Sequence, residues 1–537
     1  MTTLGLLSLL HEGVKDNSAS RVFRDQPVLW WTLARLSAVQ NVRGWSIFCW
    51  ADQVKAVADC VGEAPITIIN KGERRLTPVM EAITAAGRWL DGWRGGLLQT
   101  CDFDAGMHPA WMNELLAAEA ADAVLCVDPA AGLVDSALVS ATVDHAVEHP
   151  NEGLVFSLAA PGLNGVVLRK ELLAKLAPMQ VPPGRLLAYL QDQPGKDAIA
   201  RECCSPVPTP VARTTRRFKL DSFRQVQRME RTFESLNGQL ARTGAEQLVH
   251  MANNDLEADE MPREITLELT TTRHTKPIWS PVRYGNFSRP MMDVSVAAKL
   301  FEQLSEYPDT RVTFAGVGDP LLHPELLEIL RLAREAGLQS LHLETDLVKI
   351  EPDLLKGIIQ TGVDVVSFHV PAMRKETYEK IMGVDAFLEV MENLKQLVSI
   401  RHELRRGVPI IVPTFVKCRD NLHEMEGWYD QWLKVISSAV IVAPTGCGNL
   451  VPAESVGISR MAPPQRRACS RLWSRLMVLS DGSVTRCEQD IHQPTAIGKV
   501  GERPIKELWA DMNRLRTEHR NQQWSGPCAN CQEWHRP

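Results

Sequence analysis

Four cysteines near the end of this 537-residue chain constrain it more than any other feature. They are Cys469, Cys487, Cys528 and Cys531, with seventeen residues between the first two and two between the last pair. Thiolates gathered this way form a soft, metal-binding cage. Between Cys469 and Cys487, two apolar runs flank an Asp481-Gly482 turn. That pattern reads as a β-hairpin, which brings distant cysteines together. The chain has twelve cysteines, most of them isolated among apolar residues, so no disulfide framework is expected. A reducing compartment with one metal centre fits the pattern better.

The length suggests two to four domains. The formal net charge is -6 and no Lys/Arg block occurs, so a nucleic-acid partner is not expected. The N-terminal apolar run has neither a positive flank nor a cleavage-type end, and does not read as a signal peptide. No apolar stretch approaches membrane-helix length. The expectation is a cytoplasmic protein.

Residues 263–450 alternate strand-like and helix-like runs. Strands are expected near residues 265, 311, 341, 364, 409 and 439, with helices between most of them. In the helix after His323, Pro324 stands at the start and Gly337 just past the end. Leu326, Leu327, Leu330 and Ala333 fall on one face. Six such units imply a parallel sheet curved into a partial barrel, with function at the strand carboxyl ends.

This stretch resembles the radical S-adenosylmethionine enzymes. The resemblance rests on Gly316-Val-Gly318-Asp319-Pro320, Glu344-Thr345-Asp346, Gly362-Val-Asp364 and Glu376-Thr-Tyr378. In that family the glycine turn holds the methionine amino group. It therefore implies a cofactor site at Gly316, Gly318, Asp319, Pro320 and Thr345. The first loop departs from the family: aligned on Pro277, its three cysteine positions hold Thr272, Lys276 and Trp279. None is a thiolate, so these residues cannot build the cubane that cleaves S-adenosylmethionine. The barrel is then either a retained scaffold or a ligand-binding body without radical initiation.

The C-terminal residues 451–537 closely resemble the SPASM extension of that superfamily. The match runs in order through Cys469, the Asp481-Gly482 turn, Cys487, Ile497-Gly498, Leu508-Trp509 and Cys528-Ala-Asn-Cys531. It implies that the four cysteines hold one auxiliary [4Fe-4S] cluster. Zinc is the competing occupant, but zinc ribbons usually bring two tight cysteine pairs and one is present here. Cys447 reads as a small turn residue. His108, His323 and His369 are single histidines that read as capping or packing residues.

Residues 1–205 read as a third body, an α/β domain. It resembles the sugar-nucleotide cytidylyltransferases, through the helix after Asp25-Gln-Pro27 and an expected strand, Gly96 to Asp104, followed by a proline-started helix. The resemblance implies Mg²⁺ at Asp102 or Asp104. The family's Gly-rich phosphate loop is replaced by a stretch from His11 with the single glycine Gly13. Residues 206–262, proline-rich and then helical, read as a linker.

The overall layout resembles the SPASM proteins of the spirochaete type, whose barrels also lack the leading cysteines. Two functions are expected. One is an iron-sulfur accessory or electron-transfer protein with a redox partner or partner enzyme, acting in modification of a cell-surface sugar or peptide. The alternative is a sugar nucleotidyltransferase working through the N-terminal domain.

Overall fold

The run Thr3–Ser8 is buried at all six positions, with Leu4, Leu6 and Leu7 supplying its apolar bulk, and forms the middle of a sheet. The computed structural model describes residues 1–190, 192–452, 456–458 and 462–536. They fall into two units, Met1–Leu256 and Glu257–Pro537. Among the described residues no helix is long and apolar enough to cross a membrane.

The first unit has strands β1 (Thr3–Ser8), β2 (Val22–Phe23), β3 (Gln26–Pro27), β4 (Trp45–Cys49), β5 (Ile66–Asn70), β6 (Ala123–Val127), β7 (Leu154–Ser157), β8 (Val166–Arg169) and β9 (Cys204–Ser205). β2 and β3 pair as a small ribbon, and the rest form one sheet ordered β5-β4-β1-β6-β8-β7-β9. β1 is parallel to β4 and β6, while β8 runs antiparallel to both its neighbours. Gly5 is needed in β1 because a Cβ there would stand 2.3 Å from the Trp45 ring.

Two expectations for this unit need correction. Gly96 to Asp104 is no strand but a 3-10 turn, Leu97–Gln99, followed by another, Asp104–Gly106. Leu98 and Gln99 take φ of 58° and 60°, left-handed values that a strand does not accommodate. The linker expected over 206–262 is instead largely built into the unit. Phe218, Leu220, Met229, Phe233 and Leu248 are buried in one cluster with Phe23, Val28 and Leu133. Met229 and Leu248 come from two short helices, Phe223–Thr232 and Ala245–Asn254, and Phe218, Leu220 and Phe233 from the chain outside them.

The second unit has β10 (Glu264–Leu267), β11 (Arg311–Phe314), β12 (Ser340–Thr345), β13 (Val365–His369), β14 (Ile410–Val416), β15 (Val440–Val442), β16 (Arg475–Val478), β17 (Ser483–Thr485) and β18 (Gly498–Lys499). β10 to β15 are parallel neighbours in chain order, as the six repeated units imply. The helix after β11, Leu326–Glu335, buries Leu326, Ile329, Leu330 and Ala333 against this sheet's core. Gly337 ends it with φ of 87°.

The hairpin expected around Asp481-Gly482 forms as β16 and β17. Gly482 takes φ of 83°, and the Ser483 amide donates to the Asp481 carboxylate at 3.0 Å. β16 also pairs in parallel with β10, Glu264 opposite Arg475, so barrel and hairpin share one nine-stranded sheet. The helix Ile505–Asp511 anchors to the same body. The Trp509 indole donates to the Asp259 carbonyl at 2.7 Å, with Arg516 stacked 4.0 Å over its ring.

Candidate iron-sulfur centre and barrel mouth

Local structure brings the four C-terminal cysteines to one place. Cys469 precedes the 3-10 turn Ser470–Trp473, Cys487 follows β17, and Cys528 ends the 3-10 turn Gly526–Cys528, three residues before Cys531. All four line one small cavity of about 20 Å³, together with Arg466, Arg471, His519 and Trp534. None is in a disulfide. Burial raises Cys469, raises Cys487 well above the ordinary thiol range and pushes Cys528 to about 11. Neighbouring sulfurs add to each rise. A set of thiols that resists ionising alone gains its thiolates by ligating a cation.

The sulfur spacing bears on the two occupants weighed above. A tetrahedral zinc site with Zn–S of about 2.3 Å needs its sulfurs about 3.8 Å apart. Among the described residues, no three of these sulfurs lie within 4.8 Å of one another. The one group of ligand atoms that close is His145, Glu148 and His149. The four thiols thus line one cavity without being gathered at the spacing of a single zinc ion.

Arg471 is buried beside the cage, 3.5 Å from Glu488. Burial opposes its charge, but Glu488, Cys487 and Cys469 hold it above the ordinary guanidinium range. Arg466 donates to the Cys528 and Ala529 carbonyls, at 2.5 and 3.0 Å, and stacks on Trp524. A cluster on four thiolates is anionic, and these two cations suit that charge. Cys447 does not line the cavity; it is buried with Val317, Val451, Met477 and Leu479.

The barrel mouth carries the other expected site. The Gly316-to-Pro320 turn follows β11 and is held by its neighbours' backbone. Gly318 N–H donates to the Thr270 carbonyl at 3.1 Å and Asp319 N–H to the Thr272 carbonyl at 2.8 Å. A Cβ on Gly318 would stand 2.3 Å from the Thr270 carbonyl oxygen, so this close approach requires glycine. Asp319 accepts from the Thr345 hydroxyl and the Asp346 amide, both at 2.9 Å. Gly316, Gly318, Asp319, Pro320 and Thr345 thus stand together.

Arg273, Thr275 and Glu268, which sequence reasoning missed, also stand at this mouth, with His369, which it read as a packing residue. Arg273 donates to both oxygens of Asp346, at 2.9 and 3.0 Å, and a further N–H lies 3.5 Å from the Val317 carbonyl. The Thr275 hydroxyl and His369 Nδ1, the latter at 3.0 Å, also meet Asp346. Burial works against the Asp346 charge, yet Arg273 and His369 hold its pKa well below the usual carboxylate range. Glu268, fully buried beyond β10, pairs with Arg289 at 2.8 Å and accepts from Val317 N–H. Thr272 and Lys276 are exposed and Trp279 is buried, so no thiol stands in this loop.

In the first unit both expected magnesium ligands are already engaged. Asp104 accepts the Cys101 and Gly184 amides at 2.7 and 2.6 Å. Asp102 pairs at 3.1 Å with Lys219, whose ammonium also meets Asp128. Lys219 sits in the apolar run Phe218 to Leu220, and its burial gave no motif to read. After β1, where a phosphate loop was sought, Glu12 accepts the Ser18 amide at 2.8 Å. Burial raises Glu12 to about 7.

Comparison with known proteins bears on both halves of the second unit. The model of the radical SAM superfamily matches residues 279–410, beginning after Thr272 and Lys276. The model of the SPASM iron-sulfur cluster-binding domain matches residues 469–532. An uncharacterized protein of Treponema pallidum (strain Nichols) is 20% identical over 51% of this chain and 79% of its own length. The tungsten-containing aldehyde ferredoxin oxidoreductase cofactor-modifying protein of Pyrococcus furiosus is 24% identical over 30% of this chain. The match spans 44% of that protein. A crystal structure of BtrN in complex with AdoMet and 2-DOIA aligns with TM-score 0.35 and 16% identity, over 50% of this chain and 93% of that one. This chain thus carries a radical SAM superfamily domain followed by a SPASM iron-sulfur cluster-binding domain.

Proposed function

We propose that this chain is an iron-sulfur protein holding one [4Fe-4S] cluster on Cys469, Cys487, Cys528 and Cys531. Its role is electron transfer, or substrate anchoring, beside a partner enzyme that modifies a cell-surface sugar or peptide. The observation that carries this reading is the convergence of four free thiols on one cavity, flanked by Arg466 and Arg471. When bound, such a cluster supplies one electron at a time. The cysteines supply its ligands, and the two arginines offset its charge. The choice of sugar or peptide rests on the resemblance of the first unit to enzymes that activate sugars. Twelve free cysteines favour a reducing compartment, here the cytoplasm.

In this reading the barrel is a degenerate scaffold. Its first loop offers no thiolate, and Arg273 reaches the Val317 carbonyl within the turn that, in the family, holds the methionine amino group. The nucleotidyltransferase reading has less support. The Lys219 ammonium stands between Asp102 and Asp128, where a divalent cation would need those oxygens.

Anaerobic purification with iron, sulfide and zinc analysis tests the proposal. About four irons and four sulfides per chain are expected. One zinc without iron would exclude the cluster, and about eight irons would mean a second cluster in the barrel. Pyrophosphate release from nucleoside triphosphates, lost in Asp102→Ala, would instead favour the nucleotidyltransferase.

A further inference from the structure

In the first unit, the helix Ser136–Glu148 ends in His145-Ala-Val-Glu148-His149. Residues three and four apart on a helix share a face, so this spacing gathers two imidazoles and a carboxylate on one turn. One ligand atom from each of His145, Glu148 and His149 lies within 4.8 Å of the other two. Among the described residues, no other three metal-ligating side chains come so close. The two rings stand 4.1 Å apart between centroids, with planes 30° apart. The site is open to solvent: Glu148 is exposed and both histidines are half-buried.

Each ring has one nitrogen already committed. His145 Nε2 lies 2.6 Å from the Glu202 carbonyl, and His149 Nδ1 lies 2.9 Å from the His145 carbonyl. A carbonyl only accepts, so both contacts are N–H donations. They fix the tautomers. In the neutral rings the lone pair is on Nδ1 of His145 and on Nε2 of His149. Metal-bound histidines are held in this way, donating one ring N–H to a backbone carbonyl and offering the other nitrogen to the ion.

The helix end adds to this. His149 leaves the helix with φ of -114° and ψ of 71°, and Pro150 bars its continuation. Its ring folds back onto the last turn, where the His145 carbonyl takes it. The carboxyl end of a helix carries partial negative charge, which favours a cation beside it.

We propose that His145, Glu148 and His149 bind one divalent transition-metal ion of the zinc class, with an outward position left to water. Two imidazoles and one carboxylate are donors that zinc accepts, whereas calcium and magnesium prefer oxygen alone. Through His145 and the Glu202 carbonyl, the bound ion links the helix end to the chain leading into the edge strand β9.

Calorimetric titration of the full chain with zinc tests this, with the metal already in the cysteine cage counted before and after. About one additional zinc per chain is expected, and no such step with magnesium. His145→Ala and His149→Ala should each weaken binding at least about tenfold. The double variant should abolish the added step and leave the cage's metal unchanged, which separates this site from Cys469 to Cys531. A second measurement needs no variant. In nitrogen NMR of the histidine rings, zinc should move His145 Nδ1 and His149 Nε2, while His145 Nε2 and His149 Nδ1 stay protonated. No additional zinc, an unchanged affinity in the double variant, or unmoved His145 Nδ1 and His149 Nε2 signals would overturn the proposal.

Discussion

The Arg273 guanidinium and the Asp346 carboxylate form a bidentate pair, 2.9 and 3.0 Å, buried at the mouth of the barrel. Arg273 comes from the loop that in radical enzymes carries cluster cysteines, and Asp346 from the end of β12. The pair therefore ties the first loop to the third strand without any metal. Breaking one side of a buried pair strands the other charge, which typically costs 3–5 kcal/mol. Arg273→Ala should lower unfolding stability by about 3 kcal/mol, measured by denaturant titration. Adding Asp346→Ala should recover part of that loss. A single variant within about 0.5 kcal/mol of the native chain would refute the pair's role.

Glu12 gives a pH dependence with a definite sign. Its folded pKa of about 7, from an ordinary 4.5, is raised first by burial and moderated by Arg21 and Ser18. A raised carboxyl contributes stability below its unfolded pKa, and loses it as pH climbs through 4.5 towards 7. Glu12→Gln should therefore be more stable than the native chain at pH 8, by up to about 3 kcal/mol, and no more stable at pH 4. Thermal unfolding at the two pH values checks this; a pH-independent difference would contradict it.

The cage makes a selective claim among twelve cysteines. Serine at Cys469, Cys487, Cys528 or Cys531 should each reduce bound iron from about four to below about one per chain. Cys447→Ser should leave iron unchanged, because Cys447 faces Val317 and Met477 instead of the cavity. Iron analysis of the five variants, each checked for folding by circular dichroism, decides it.

Arg471 should set the potential of the bound cluster. A buried cation beside thiolates favours the more negative, reduced state. Arg471→Gln should lower the midpoint potential by about 60 mV, the equivalent of a tenfold change for one electron. Redox titration followed by electron paramagnetic resonance reads this, and a rise in potential would contradict it.

A fifth expectation concerns Gly318. The Cβ of Gly318→Ala would press on the Thr270 carbonyl at 2.3 Å. Backbone cannot yield as a flexible side chain does, so a loss of about 2 kcal/mol is expected in denaturant titration. Gly337→Ala meets no atom within 4 Å and is limited by its φ of 87° alone, so its loss should be smaller, about 1 kcal/mol.

Much of the second unit was legible. All six barrel strands appear within a few residues of their expected places, because buried parallel strands are short apolar runs between capped helices. The turn at Asp481-Gly482 was legible for the same local reason: left-handed φ selects glycine. The apparent strand at Gly96 to Asp104 misled because Leu98 and Gln99 take left-handed φ in a turn, and composition does not report φ. The expected linker misled because proline marks a bend in the chain whether or not the chain then leaves the domain.

By itself, the sequence determined the order of the barrel strands, the cysteine spacing and the absence of thiolates in the loop from Thr272 to Trp279, since each is a property of neighbouring residues. Only the tertiary structure decided that β16 extends the barrel sheet through β10, that Lys219 meets Asp102 and Asp128, and that Arg273 closes on Asp346. The reason is physical. Periodicity tells which side chains leave water, but a buried charge is tolerated only by a partner of opposite sign, and that partner is chosen across the fold, 73 residues away for Arg273 and 117 for Lys219 with Asp102.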